Sequence, residues 1–292
     1  MTAPVEVVHH FTRDKLGETP LWCDRRQQLL WVDIEQPRLQ SFDPATGRHQ
    51  ALGVDCDWLG SHALCADGRR LIAKDLALHL MDEDSGKMTP FAVIETGVDN
   101  RLNDGRVDRW GRLWIGTMDN QLHRPQGALY RVAGSGRVDK IAGDVIVSNG
   151  IAFSPDGRQM HFTDTRRYMS WVYDIDPDDG EITGRRLWAD YSATKDRPDG
   201  AAMDVDGCLW AAFFGGGKIV RYRPDGQIDF EIPLPISNPT CLCFGGPDLR
   251  TLYITTAFKF LNSTQLQREP LAGALLAIEG IGQGLPEHRF TL

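Results

Sequence analysis

A six-bladed β-propeller, all-β with four-stranded antiparallel blades, is the fold class predicted for this chain of 292 residues. Three observations predict it. A strand-like run returns six times, a polar turn stands ahead of each return, and 30 Gly with 16 Pro are too many for a mostly helical protein yet follow no G-x-y period.

The six runs are LLWVDI from Leu29, RLIAKD from Arg70, RLWIGT from Arg112, QMHFTD from Gln159, CLWAAF from Cys208 and TLYITT from Thr251. They read as inner strands of their units. The turns before them carry Asp24, Asp67-Gly68, Asp108 to Gly111, Asp156-Gly157, Asp206-Gly207 and Asp248, residues that tolerate the backbone angles of hairpins. Each run is followed by a further strand: LQSFD, LALHLMD, GALYRV, WVYDID, KIVRYR and GALLAI. The apolar centres of the runs are 41, 42, 47, 49 and 43 residues apart, the length of about four short strands. One small sheet cannot bury both faces, but a ring of such sheets buries each against its neighbours. Six blades account for the whole chain, so 1–292 is expected to form a single domain. An outer strand within residues 3–10, PVEVVHH, is expected to pair with the carboxy-terminal run around 273–292 and close the ring.

Composition excludes several functions. The 32 basic residues against 40 acidic ones give a net charge of −8, and no basic block could form a phosphate-binding stripe, so no nucleic-acid partner is expected. The start, MTAPVEVVHHFTRD, lacks a basic head followed by an apolar run, and no apolar stretch approaches membrane-spanning length. A soluble, cytoplasmic chain without a membrane partner is expected, and a monomer, since a closed ring needs no partner. Six cysteines without a C-x-x-C read as reduced thiols; Cys241 and Cys243 share a strand face and read as buried. The N-x-T at Asn262 would accept a glycan only in an exported protein.

A second regularity concerns chemistry. Glu18, Gly60, Asn103, Asn149 and Asp199 lie eight residues before Arg26, Gly68, Gly111, Gly157 and Gly207, and Thr240 lies eight before Asp248. Four of the first five are carboxylates or amides. In a propeller this register places them at the start of an inner strand, facing one mouth of the central channel. Glu18, Asn149 and Asp199 offer two anions and a neutral carbonyl, a set suited to one divalent ion: Ca²⁺, Mg²⁺ or Mn²⁺, with Zn²⁺ and Fe²⁺ also admitted. Without a metal the two carboxylates would raise each other's pKa and could act as an acid and base pair of the glycosidase type. In DNRLNDG, Arg101, Asn103 and Asp104 add a cation and polar groups. Arg101 suits a carbonyl or hydroxyl oxygen, or a salt bridge to Asp99 or Asp104.

In LGETPLW at 16–22, NRLNDGRVDRWGRLWIGTM at 100–118, SNGIAFSPDG at 148–157, RPDGAAMDVDGCLWAA at 197–212 and CFGGPDLRTLYITTA at 243–257, the chain resembles the SMP-30/gluconolactonase family, which includes regucalcin and bacterial sugar lactonases. The resemblance implies a divalent metal held by Glu18, Asn149 and Asp199. It implies hydrolysis of an aldonolactone to the aldonic acid, with Arg101 and Asn103 on the sugar oxygens and Asp199 taking the proton of the attacking water. Sugar lactone and water are the expected small-molecule partners. A labile cyclic ester needs no serine nucleophile, and no G-x-S-x-G is present. The sequence departs from the family in SNG, where TNG is common, and in Gly60, which offers no ligand.

Met118 to Gly127 is expected to cross the mouth, with His123 as a substrate contact or an exposed turn residue. His62 and His161 read as packed, and no H-E-x-x-H occurs. Gluconolactone and pentonolactones are equally admissible substrates. The rival functions are a metal-dependent arylesterase or phosphotriesterase and a non-enzymatic calcium-binding propeller.

Overall fold

A computed structural model describes residues 4–9 and 13–292. After β1 (Glu6–His9), the first blade contains β2 (Gly17–Cys23), β3 (Gln28–Asp33), β4 (Arg38–Asp43) and β5 (Arg48–Gly53). The second contains β6 (Leu59–Leu64), β7 (Arg70–Lys74), β8 (Ala77–Met81) and β9 (Met88–Val93). The third contains β10 (Asn100–Val107), β11 (Leu113–Asp119), β12 (Gly127–Val132) and β13 (Val138–Val145). The fourth contains β14 (Ser148–Phe153), β15 (Gln159–Asp164), β16 (Met169–Ile175) and β17 (Ile182–Asp190). The fifth contains β18 (Pro198–Met203), β19 (Leu209–Phe213), β20 (Lys218–Tyr222) and β21 (Ile228–Pro233). The sixth contains β22 (Pro239–Gly245), β23 (Thr251–Thr256) and β24 (Leu275–Glu279), with a short helix α1 (Ser263–Arg268) between the last two.

Every sheet is four-stranded and antiparallel, the blade set of a six-bladed β-propeller. Five sheets are plain meanders. The sixth runs β1-β24-β23-β22, so the amino-terminal strand supplies its outer edge, with Glu6 opposite Ala277 and Val7 opposite Leu276. The expected pairing of residues 3–10 with the carboxy-terminal run therefore occurs at β24. The last residues go elsewhere: Phe290 bridges to Cys65, and Thr291 N–H donates to Gly111 O at 3.0 Å.

The six runs recognised in the sequence prove to be the second strand of each blade, not the innermost. The first strands are buried along their whole length or nearly so, and they are the ones that pack against first strands of neighbouring blades. The hairpin signal pointed to the right turns but to the strand after each turn, because that strand carries the denser apolar run.

Two compact units divide the chain: β1–β5 with β18–β24, and β6–β17 with Glu287–Leu292. In the first, β22 packs against both β2 and β18, over a core that includes Trp22, Trp31, Trp210, Leu242, Ile254 and Leu276. In the second, β10 packs against β6 and β14, over Leu102, Ile115, Trp114, Leu129, Phe162 and Phe290. Burying each large apolar side chain is worth about 1.5–3 kcal/mol.

The hairpins after the first strands show why D-G recurs. Gly68, Gly111, Gly157 and Gly207 take left-handed φ between 74° and 95°, where a side chain is costly. In the first blade the left-handed residue is Gln27 (φ 52°), and in the sixth Leu249 (φ 56°) joins Gly246 (φ 87°). Neither turn has a glycine eight residues after its register residue, where Arg26 and Asp248 stand, and the register seen in the other four weakens there.

Candidate functional site

All six residues of the repeated register fall at or near the start of a first strand. Glu18, Gly60, Asn149, Asp199 and Thr240 are each the second residue of β2, β6, β14, β18 and β22, and Asn103 is the fourth of β10. A feature the sequence did not show accompanies them. The pairing with the second strand breaks register at every one: between Glu18 and Leu21, Leu59 and Ser61, Leu102 and Gly105, Asn149 and Ala152, Pro198 and Ala201, and Pro239 and Cys241. Bulges of this kind release a residue from the ladder and re-aim its side chain, and they favour active sites. Thr19 and Gly150, the residues after Glu18 and Asn149, have φ of 46° and 62°. For a β-branched residue such as Thr19 that is a strained conformation.

Within the unit built from β6–β17, the polar residues form a buried chain. Arg101 Nη1 donates to Leu102 O at 3.2 Å and to Asn103 Oδ1 at 2.5 Å, with its guanidinium 5.7 Å from the Trp58 ring centroid. Asn103 Nδ2 donates to Ser148 O at 2.7 Å and to Asn149 Oδ1 at 2.8 Å. Asn149 Nδ2 in turn donates to Thr165 Oγ1 at 2.8 Å. Both N–H groups of Asn103 are committed to the protein, so toward a ligand this side chain offers only acceptor capacity. Its visible work is to orient Asn149. Thr165 does the same from the other side.

Asp99 and Asp104 face other partners than the ones expected for Arg101. Asp99 accepts from Asn120 Nδ2 at 2.9 Å and Gln121 Nε2 at 3.1 Å. Asp104 Oδ2 accepts the Ile151 N–H at 2.7 Å, stitching β10 to β14, and burial pushes its carboxyl above the usual range. His123 lies on the β11–β12 loop with its side chain 60% exposed and its Nδ1 2.9 Å from Gln121 O. Asp119 shapes that loop by accepting the N–H groups of His123 and Arg124 at 3.1 and 2.8 Å. Gly60 has a packing reason: a Cβ there would overlap the Leu102 carbonyl.

Within the other unit, Glu18 and Asp199 are buried, 6% and 7% exposed. Glu18 Oε2 accepts the Thr19 N–H at 2.9 Å. The Thr240 hydroxyl lies within hydrogen-bond distance of Gly17 O and Thr255 Oγ1, tying β22 to β2 and β23. Behind Asp199, Gly200 leaves room for Cys241, whose sulfur a Cβ at that position would overlap. Cys241 and Cys243 are both free thiols and both buried, in keeping with the packed pair expected.

Taken one by one, Glu18, Asn149 and Asp199 present oxygen donors of the hard class, and by type they fit a divalent cation. Among the described residues no group of three or more His, Cys, Asp and Glu side chains is placed to hold a metal. Two carboxylates and an amide lie outside such a group by composition. No helix among the described residues is long and apolar enough to cross a membrane.

Six four-stranded antiparallel blades place the protein in the class of six-bladed β-propellers. Residues 16–258 match the SMP-30/Gluconolactonase/LRE-like region, and the chain belongs to that family. It is 41% identical over 278 residues to a 6-deoxy-6-sulfogluconolactonase of Pseudomonas putida, covering 94% of this chain and 95% of the relative. It is 33% identical over 287 residues to regucalcin of Gallus gallus, covering 96% of each chain. The solved structure of a calcium-binding protein, regucalcin, from Agrobacterium tumefaciens superimposes with a TM-score of 0.95 at 30% identity, covering 100% of this chain and 99% of that one.

Proposed function

We propose that this protein, as one domain over 1–292, hydrolyses a sugar aldonolactone to the aldonic acid with one divalent ion held by Glu18, Asn149 and Asp199. The observation that carries the reading is the repeated bulge, which begins directly after Glu18 and Asn149 and includes Asp199, at equivalent places in three blades. Membership of a family described by gluconolactonase, and the likeness to a 6-deoxy-6-sulfogluconolactonase, support the substrate class. The likeness to a calcium-binding regucalcin supports the ion. Ca²⁺, Zn²⁺, Mn²⁺, Mg²⁺ and Fe²⁺ all suit these donors.

When bound, a divalent ion supplies Lewis acidity toward the lactone carbonyl oxygen. Asp199 accepts the proton of a water molecule as that water attacks the carbonyl carbon. The new carbon–oxygen bond forms, the ring carbon–oxygen bond breaks, and the proton passes to the departing ring oxygen to leave the open-chain hydroxy acid. Asn103 keeps Asn149 oriented and offers an acceptor to a sugar hydroxyl. Arg101 and Asp104 complete the polar wall on that side, and His123 borders it from the β11–β12 loop. The protein acts as a monomer in the cytoplasm, with sugar lactone and water as its partners.

The test is hydrolysis of a panel of aldonolactones by metal-stripped protein, with each divalent ion restored separately. Activity that disappears on stripping and returns with an ion is expected. A folded, metal-loaded protein inert on the whole panel, or one active only on aryl esters, would overturn the reading.

A further inference from the structure

Just ahead of Asp199 the chain places a cation that the proposed lactonase chemistry does not use. Arg197 immediately precedes β18, and its backbone carbonyl accepts the Phe214 N–H at 2.9 Å, which fastens it to the β19–β20 hairpin. The guanidinium lies 5.3 Å from the Phe214 ring centroid. Phe214 meets Phe260 edge to face at 6.2 Å, and Phe260 is 65% exposed. Gly215, with φ 75°, lets the guanidinium lie on the hairpin, since a Cβ there would overlap Arg197 Nη2. Stacking on an aromatic face restrains an arginine while leaving its N–H edge free to bind.

The neighbouring cations are engaged. Lys259 pairs with Glu35 and also lies 4.7 Å from the Phe260 ring centroid. Lys15 reaches the same Glu35 at 2.9 Å, and these two lysines hold its carboxyl below the usual range. Lys218 pairs with Glu231 at 2.9 Å. Several arginines elsewhere have carboxylates: Arg112 with Asp108, Arg131 with Asp139 and Glu181, Arg221 with Asp204 and Asp229. Arg197 is half-buried and has no carboxylate partner among the described residues. A restrained guanidinium without a counter-ion, two residues from the proposed base, is an anion receptor by its chemistry.

The geometry points to Arg197, stacked on Phe214, as the residue that selects a sugar lactone bearing an anionic group, a sulfonate or phosphate, on the carbon remote from the lactone carbonyl. The assignment rests on the proposed lactonase reading. The remote position follows from Asp199, whose carboxylate would repel an anion placed at the reacting carbon. A planar, donor-rich guanidinium matches the oxygens of a tetrahedral sulfur or phosphorus group, and Phe214 and Phe260 offer an apolar face for the sugar's C–H side.

The test compares kcat/KM for glucono-δ-lactone, its 6-deoxy-6-sulfo analogue and its 6-phosphate in wild-type protein and in Arg197→Gln and Arg197→Lys. Wild type prefers an anionic lactone. In Arg197→Gln the ratio of anionic to neutral kcat/KM falls by about 10- to 100-fold, the scale of a lost charge-assisted hydrogen bond, mainly through KM; Arg197→Lys restores part of it. Comparing the sulfonate with the phosphate tells which source the site takes. Calorimetry with the open-chain 6-sulfonate, 6-phosphate and unsubstituted aldonates reads the same preference without turnover. If no lactone is hydrolysed but the anionic acids still bind more tightly through Arg197, the lactonase reading fails and the anion receptor stands. If neutral and anionic compounds lose equally in Arg197→Gln, or wild type shows no preference in either assay, the assignment of Arg197 is overturned.

Discussion

The two ends of a blade's first strand bury the same kind of side chain for different ends. At the hairpin end, Asp108 and Asp204 are saturated. Asp108 accepts from the N–H groups of Trp110 and Arg112, from Arg112 Nε and from Trp114 Nε1, all within 2.6–3.0 Å. Asp204 does the same for Asp206, Cys208, Trp210 and Arg221. At the starting end the backbone is bulged, directly after Glu18 and across Asp199. A carboxylate saturated by donors on its own sheet fastens the blade. One beside a bulge has its side chain re-aimed by the backbone, and the proposed chemistry uses that.

The sharpest way to break this comparison is at Glu18. Glu18→Gln is expected to cut lactone hydrolysis by about 10³-fold or more while the thermal unfolding midpoint stays close to wild type, since metal-assisted chemistry depends on the ligand charge and the blade does not. A variant equally active, or one that unfolds, would put Glu18 with the fasteners. The converse change is Asp204→Ala, which leaves the Trp210 indole N–H without its acceptor and Arg221 with Asp229 as its close carboxylate. It is expected to destabilise by about 1–3 kcal/mol in urea unfolding, with activity per folded molecule retained. A smaller effect follows from the bulge itself. Gly150→Ala puts a side chain on a left-handed residue beside Asn149 and is expected to cost about 1–2 kcal/mol, with weakened metal binding as the accompanying readout.

The last effect is a slope rather than a step. Asp14, just before β2, accepts from Trp31 Nε1 at 2.9 Å and Gln40 Nε2 at 2.9 Å, and burial together with neighbouring Asp33 raises its pKa from 3.8 to about 7. Between those two values the folded protein holds a proton that the unfolded chain has lost. This group's contribution to stability therefore declines as pH rises from about 4 to about 7 and levels off above that. Asp14→Asn should remove that part of the slope from unfolding curves taken across this range; an unchanged slope would show that Asp14 is not its source.

Much of this was legible in the sequence, and what was not has physical reasons. The six runs and their D-G turns gave the blade count, because a left-handed turn in four blades demands glycine. The eight-residue register found Glu18, Asn103, Asn149 and Asp199, because it counts along one strand from a fixed turn. The same count could not say which strand was innermost, since burial is set by the neighbouring blade. The bulges have no residue signature: Thr19 occupies the place that Gly150 fills in another blade. The Asn103–Asn149 bond joins residues 46 apart and is visible only once β10 and β14 lie side by side. Asp104 stands in the same DNRLNDG motif, but its bond to the Ile151 N–H joins two blades and has no signature along one strand. Arg197 stood in the quoted RPDG, but nothing in four letters reveals that Phe214 lies beneath it.

The central claim is that Glu18, Asn149 and Asp199 hold one ion. Its most direct test is calorimetric titration of divalent ions into metal-stripped wild type and into Glu18→Gln, Asn149→Ala and Asp199→Asn, each checked for retained β-sheet structure. The account predicts one ion per chain in wild type and, in every variant, affinity weakened by more than about 100-fold, beyond the range for disturbing an outer-shell partner. Wild-type affinity in any one of the three folded variants would contradict it.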